Sequence, residues 1–520
     1  MSVPLPPLPN DFAQIAPADN AAGEPSPAAW AVPVCSDARD QAVAGLPEPL
    51  ADLARRLATA PEFDAKPGSV LLSPPADTND TADAPRVMLI GLGPTTTLDA
   101  ASVRIAGAAM GRAANEAKLA GVRLAAGPEA LAQRVADWPT ALAEGAGLGR
   151  FRYAAYAGAG RNAEQPDADT APLVLQGEVA QTPAIAQGLA RAQAVNTARF
   201  LAACPPNAAN PQTLADWAQR HAAPDGLKVQ VLDEHDLAKH NLQGLLSVGR
   251  AGSAPPRLVI LDYPGQDPEA DPVCLVGKGV TFDTGGYSLK TRDGMAGMKY
   301  DKCGATAVLG LMPHLKPLGV TRRVIGLAAL AENMVDSAAY RPDDILTLSN
   351  GVTVEITNTD AEGRLCLADA LAYACQTYTP AAVVDLATLT GGVVVALGPH
   401  HAGLWCNNAQ LREQLRNAAD TSGEALWELP LTSDHRAMMS GQHADLVNSA
   451  PGRACHATQG AAFLSHFVGP GAATDYPASV PWAHLDIAGT AHTDAKPPVF
   501  EKGPTGFGVR LLIDYLLQTA

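Results

Sequence analysis

From Pro211 to Ala387 apolar, β-type runs alternate with helical stretches. The pattern predicts helices over 211–222, 234–240 and 304–314. It predicts strands over Lys228–Leu232, Arg257–Leu261, Val273–Val276, Val324–Leu330 and Ala382–Ala387. A strand that returns in the same direction needs a crossover, and a helix is the usual one. The alternation therefore predicts a mainly parallel sheet covered by helices on both faces. Ligands of such sheets bind beyond the carboxyl ends of the strands. Polar residues at those ends are the first candidates for a site.

Two stretches stand out there. Asn358-Thr359-Asp360-Ala361-Glu362-Gly363-Arg364-Leu365 packs two carboxylates and an arginine into five residues. Leu348–Ile356 before it reads as strand interrupted by an Asn350-Gly351 turn, and Leu365–Thr377 after it as helix. Taken alone, the segment is equally a solvated loop whose charges pair with each other. The second stretch follows Val273–Val276 and runs Gly277-Lys278-Gly279-Val280-Thr281-Phe282-Asp283-Thr284-Gly285-Gly286, then on to Lys290 and Asp301. Its glycines allow tight turns that fold side chains back to one point. Together the stretches offer Asp283, Asp301, Asp360 and Glu362 against Lys278 and Lys290.

Four converging carboxylates without cations repel each other and carry raised pKa values. Two divalent metals remove that cost, with carboxylate oxygens as ligands and bridges. A lysine amine also ligates, but only when neutral. The expected chemistry is hydrolysis by a metal-activated water, with metals roughly 3.5–4 Å apart. No HExxH and no GxSxG occurs, and none of the 12 histidines lies in either stretch. His400-His401 is expected on a surface loop.

Composition narrows the alternatives. The 520 residues, 47% hydrophobic and 17% charged, suffice for two domains with cores. A net charge of −16 argues against a nucleic-acid or anionic-membrane binder. The eight cysteines show no CxxC framework, so buried thiols in a reducing compartment are expected. Residues 1–20 have no basic n-region, and Ala381–Leu397 reads as buried strand and turn. The expected location is the cytoplasm.

The expected fold is α/β. A smaller N-terminal α/β domain (1–178) joins, through a connecting helix and linker (179–210), a C-terminal catalytic domain (211–520) with a mixed, mainly parallel sheet. Residues 1–35 are expected to be irregular. Helical stretches are expected around Gln41–Ala60, 100–119 and 128–144, and strands at Arg86–Pro94 and 151–157. Gly158–Ala171 is the strongest boundary signal. The Gly91-Leu92-Gly93 turn lacks the further glycine and acidic partner of a nucleotide site and reads as a plain strand–loop turn.

VGKGVTFDTGG, SLK, GMKYD, NTDAEGRL, DLATLTG and WAHLDIAG together resemble the leucyl (cytosol) aminopeptidase family, in order and spacing, across residues 190–520. The resemblance implies a dinuclear metal exopeptidase using Mn²⁺ or Zn²⁺. Lys278, Asp283, Asp301 and Glu362 would hold the tighter metal. Asp283, Asp360 and Glu362 would hold the other, with the Asp360 carbonyl as a further ligand. Lys290 would stabilise the oxyanion, and Arg364 would bind a bicarbonate acting as general base. Met298, Thr388, Gly391 and Ala488 would line the pocket for the first side chain. The substrates would be peptides with a free N-terminus, leucine and other apolar residues leading, and the assembly a homohexamer. The alternative is a DNA-binding or regulatory protein built on the same fold.

The sequence departs from the family pattern in places. Lys302 stands where an apolar residue is common and puts a positive charge beside the site. Thr291-Arg292-Asp293 replaces a proline-containing loop. Asn448–Thr458 departs from a Gly-rich loop, and residues 1–85 match poorly. Gly363 is expected to keep the backbone slim beside the oxyanion that Arg364 would hold. Asp385 and Asp486 read as buried, hydrogen-bonded carboxylates.

Overall fold

The computed structural model describes residues 5–6, 15–17, 27–41, 46–74, 85–156, 173–222, 226–469, 480–495 and 498–518. The chain forms two compact units. One comprises residues 7–196 and 494–502, the other residues 1–6, 197–493 and 503–520. The division falls inside the long helix Thr182–Ala203.

The first unit holds β1 (Ile15–Pro17), β2 (Ala29–Cys35), β3 (Val70–Leu72), β4 (Arg86–Gly93), β5 (Gly121–Leu124) and β6 (Leu173–Gln176) in the order β1-β6-β5-β2-β4-β3. Alternation along β4 feeds two cores. Val87 and Leu89 pack with the helix Leu50–Ala58, while Met88 and Ile90 join the core of the helices Ala100–Glu116 and Trp138–Arg150. Those two helices touch backbone to backbone: a Cβ on Gly107 would sit 2.1 Å from the Leu142 carbonyl oxygen, and one on Gly145 2.1 Å from that of Arg104.

Several expectations change in this unit. β2 lies within the segment expected to be irregular, because its apolar residues pair on both sides, with β4 and β5. Residues 151–156 form no strand. The stretch 128–144 breaks into Glu129–Arg134 and a second helix from Trp138, with Pro139 in its first turn, where a missing N–H costs nothing. Gly158–Ala171 lies outside the described residues.

The second unit is built on eight strands: β7 (Lys228–Leu232), β8 (Arg257–Tyr263), β9 (Val273–Asp283), β10 (Val324–Asn333), β13 (Ala382–Ala387), β14 (Ala402–Cys406), β15 (Leu426–Glu428) and β17 (Trp482–Asp486). A side sheet adds β11 (Ile345–Thr347), β12 (Thr353–Glu355) and β16 (Leu446–Val447). The main order is β15-β14-β17-β13-β9-β10-β8-β7. β10, β9, β13 and β17 are mutually parallel, and the flanking pairs β10–β8, β8–β7 and β17–β14 are antiparallel. No helix among the described residues is long and apolar enough to cross a membrane.

β9 is much longer than Val273–Val276. It runs to Asp283, so Lys278 lies within the strand. Its glycines serve packing rather than turning. A Cβ on Gly277 would meet the Gly304 carbonyl oxygen at 2.5 Å, so the helix Cys303–Leu311 lies directly on the strand. The Asn350-Gly351 turn closes the β11–β12 hairpin, with Gly351 at φ +87°. Asp360 therefore follows a side-sheet strand, not a main-sheet one.

One half-buried histidine of this unit makes stability depend on pH. His466 Nδ1 accepts from Arg436 Nη2 at 3.1 Å, and Nε2 is buried with no hydrogen-bond partner. Burial and the neighbouring guanidinium push its pKa down to about 4. Below pH 6.5 the unfolded chain takes up a proton that the folded chain refuses, so stability falls as pH drops from 6.5 towards 4. The expected loss from this group is about 2 kcal/mol by pH 5. Urea unfolding at pH 7.5 and pH 5 should show a smaller pH dependence for His466→Gln than for wild type.

Candidate active site

The carboxyl end of β9 delivers Lys278 and Asp283. A 3-10 turn, Met298–Lys302, delivers Asp301. The turn before the helix Gly363–Tyr378 delivers Asp360 and Glu362, with Glu362 at the position just ahead of that helix. Three segments distant in sequence thus converge. Among the described residues, Asp283, Asp301 and Glu362 place one carboxylate oxygen each within 4.8 Å of one another. Lys278, Asp283, Asp301 and Glu362 are all buried.

Two ammonium groups lie among these acids. Lys278 Nζ is 2.9 Å from both Asp301 Oδ1 and Glu362 Oε1, and donates to the Thr388 carbonyl at 2.8 Å. Lys290 Nζ bridges Asp283, at 2.8 Å, and Asp360. Burial alone would pull both lysines down, but the surrounding carboxylates carry each well above its usual range. The acids respond unequally. Burial and repulsion by Glu362 raise Asp283, Asp301 and Asp360 despite the lysines. Glu362 is also pushed up by burial, but Lys278 and Lys290 outweigh that and hold it low. The position of its carboxylate at a helix N-terminus acts in the same direction.

The charge balance is incomplete. Four carboxylates face two ammoniums, and Asp301 Oδ2 and Glu362 Oε2 are buried without hydrogen-bond partners. Buried anionic oxygens left this way are costly unless a cation or donor meets them. Hard oxygen donors in such a cluster suit divalent ions.

The surrounding turn is stapled in place. Asp283 Oδ1 accepts from the Gly285 amide and Asn333 Nδ2, both at 2.8 Å. The Thr359 carbonyl accepts from Asn333 Nδ2 at 3.0 Å and the Tyr340 hydroxyl at 2.7 Å. Asn448 Oδ1 accepts from the Thr357 and Asn358 amides at 2.9 and 3.2 Å, while its Nδ2 donates to the Asn358 carbonyl at 2.6 Å. Arg364 is buried, and its Nη1 donates to the Asn448 carbonyl at 2.6 Å, while Nε has no hydrogen-bond partner. Burial pulls Arg364 down to about 10, opposed by Glu362 and Asp486, so it stays charged at neutral pH.

Of the pocket candidates, Thr388 touches this cluster directly. The Thr388 hydroxyl donates to Asp301 Oδ1 at 2.8 Å. Gly391 opens the helix Gly391–Leu397, and the direction a Cβ would take is empty for 4 Å. Ala488 follows β17, and Met298 begins the turn that carries Asp301. Asn333, Thr359 and Asn448 escaped the sequence reading. Asn448 lies in the loop that departs from the family pattern, which was the available signal.

Two expectations are revised here. Lys302 does not point into the site. Its Nζ donates to the carbonyls of Ala202 and Cys204 at 3.0 Å and of Lys299 at 2.5 Å, at the end of the long helix, and burial lowers its pKa to about 8. Gly363 makes room for Lys278: a Cβ there would lie 2.4 Å from Lys278 Cε.

The catalytic-domain profile of the cytosol aminopeptidase family matches residues 196–513, and the profile of its N-terminal domain matches residues 31–158. The chain belongs to the cytosol aminopeptidase family. Membership makes it a peptidase, a hydrolase. A probable cytosol aminopeptidase of Roseiflexus castenholzii is 40% identical over 91% of this chain and 93% of its own. One of Desulfovibrio desulfuricans is 39% identical over 93% and 95%. Among solved structures, the bottromycin maturation enzyme BotP in complex with Mn is 35% identical, with a TM-score of 0.79 over 95% of this chain and 100% of that one.

Asn448→Ala should leave the Thr357 and Asn358 amides without their acceptor. The expected cost is about 2 kcal/mol of stability. Thermal denaturation should show the loss, and peptidase turnover should fall with it because Arg364 is held through the same loop.

Proposed function

We propose that this chain is a metal-dependent aminopeptidase that releases N-terminal residues, leucine and other apolar ones among them, from peptides. The observation that carries this reading is the buried acidic cluster, short of positive charge and with two carboxylate oxygens unbonded. A relative of the same family is a manganese complex.

In this reading Asp283, Asp301, Glu362 and Lys278, the last only once it has given up the proton it holds in the metal-free cluster, would hold one divalent ion, and Asp283, Asp360 and Glu362 the other. Manganese and zinc both suit the donor set. Bound ions of this kind polarise a peptide carbonyl and lower the pKa of an attacking water. Lys290, held protonated by its acidic neighbours, donates to the oxygen that gains charge as the carbonyl carbon becomes tetrahedral. Arg364 presents a fixed guanidinium that suits a planar oxyanion such as bicarbonate, which would take the proton from water. Met298, Thr388, Gly391 and Ala488 receive the first side chain. A free N-terminus is required, so the enzyme acts as an exopeptidase. The proposed assembly is a homohexamer in the cytoplasm, checked by a light-scattering mass of six chains.

Asp360→Asn and Glu362→Gln should each lower hydrolysis of leucine p-nitroanilide at least about a thousandfold. Near-wild-type turnover by either variant would refute the reading. Dialysis against a chelator should abolish activity, and Mn²⁺ or Zn²⁺ should restore it, with two ions per chain by elemental analysis.

A further inference from the structure

Asp486 ends β17 with no solvent exposure. Its Oδ1 accepts from the Leu389 and Ala488 amides, each at 3.1 Å. Its Oδ2 accepts from the Thr390 hydroxyl at 2.7 Å. Thr390 Oγ1 in turn accepts from the Val393 amide at 3.1 Å and so caps the helix that begins at Gly391.

Asp486 pairs in register with Ala387, the last residue of β13. The Thr388–Thr390 loop therefore leaves one strand and Ile487-Ala488 leaves its neighbour. A single carboxylate bonds to both loops. The β13 loop also reaches the acidic cluster, since the Thr388 carbonyl accepts from Lys278 and its hydroxyl donates to Asp301.

The same two strands are tied a second time just before Asp486. His484, two residues earlier on the same face of β17, bonds through Nδ1 to Asp385 Oδ1 at 2.6 Å. Trp482 Nε1 donates to Asp385 Oδ2 at 2.8 Å. Asp385 and His484 are register partners across the two strands. This is a second polar tie between the same two strands, and its members are buried and mutually bonded.

We infer that Asp486 is the positioning residue of the first-side-chain pocket: by clamping the loops after β13 and β17, it fixes Thr388, Gly391 and Ala488 relative to the acidic cluster and so sets which first side chains are accepted. The inference rests on the pocket proposed above. Asp486 touches no substrate in this scheme and acts through the loops.

The test compares kcat and KM for leucine and alanine p-nitroanilides in the metal-loaded, full-length enzyme, with Asp486→Asn and Thr390→Val as variants. Asp486→Asn keeps an acceptor for the two amides and loses the one for Thr390. Thr390→Val removes the same link from the other side and serves if the first variant does not fold. A loosened wall weakens grip on a large side chain more than on a methyl group. The leucine-to-alanine ratio of kcat/KM should therefore fall about tenfold, chiefly through a higher KM for leucine, with metal content unchanged. A ratio within about twofold of wild type in a folded, metal-loaded variant would overturn the inference, whatever happens to overall rate. If the wild type cleaves neither anilide, the aminopeptidase reading itself fails, and the inference with it.

Discussion

Asp301 and Glu362 share one ammonium group, that of Lys278, and all three are buried. Two buried acids around one base leave a net negative charge, and Lys290 repeats the arrangement with Asp283 and Asp360. Charge buried in this way is expensive unless it is compensated. The rest of the second unit is arranged around that cost. The lysines are held protonated by the acids, Glu362 is held ionised by the lysines, and the remaining acids are driven upward in pKa. No single residue has its ordinary properties here, because each sets the field of the next.

The fold meets this with rigidity. The acidic groups come from a strand, a 3-10 turn and a pre-helical turn that share no local sequence. Neutral side chains tie them together: Asn333 bonds both Asp283 and the Thr359 carbonyl, Asn448 bonds the Thr357–Ala361 turn while its backbone carbonyl receives Arg364, and Thr388 links Asp301 to the loop after β13. These ties use amides and hydroxyls, which hold position without adding charge to a site that already has too much.

Much of this was legible in the sequence, for identifiable reasons. The parallel sheet followed from strand–helix alternation, whose period does not depend on tertiary detail. The acidic cluster followed from carboxylates placed in glycine-rich settings at strand ends. The extent of β9 was not legible, because Gly277 and Gly279 carry no β signal; the neighbouring strands β10 and β13 impose the conformation. Nor was β2, whose proline and alanine residues read as irregular chain until pairing on both sides is known. The role of Lys302 was misjudged for a geometric reason. Adjacent residues on a tight turn point apart, so a side chain next to Asp301 in sequence ends up at the carbonyls of a helix terminus instead.

Glu362, Gly363 and Arg364 show how closely local and tertiary demands coincide. Glu362 precedes the helix, where the exposed amide dipoles favour a carboxylate. Arg364 lies in the first turn and reaches outward to Asn448. Between them, residue 363 must present nothing, because Lys278 crosses that position on its way to Glu362 and Asp301. An alanine there would displace the lysine stem, and the ammonium would leave the two acids it serves. The glycine is thus required neither by the turn, since its φ is not positive, nor by the helix, which it weakens. It is required by the path of a side chain 85 residues earlier in the sequence, which ties the order of these three residues to the charge balance of the whole site.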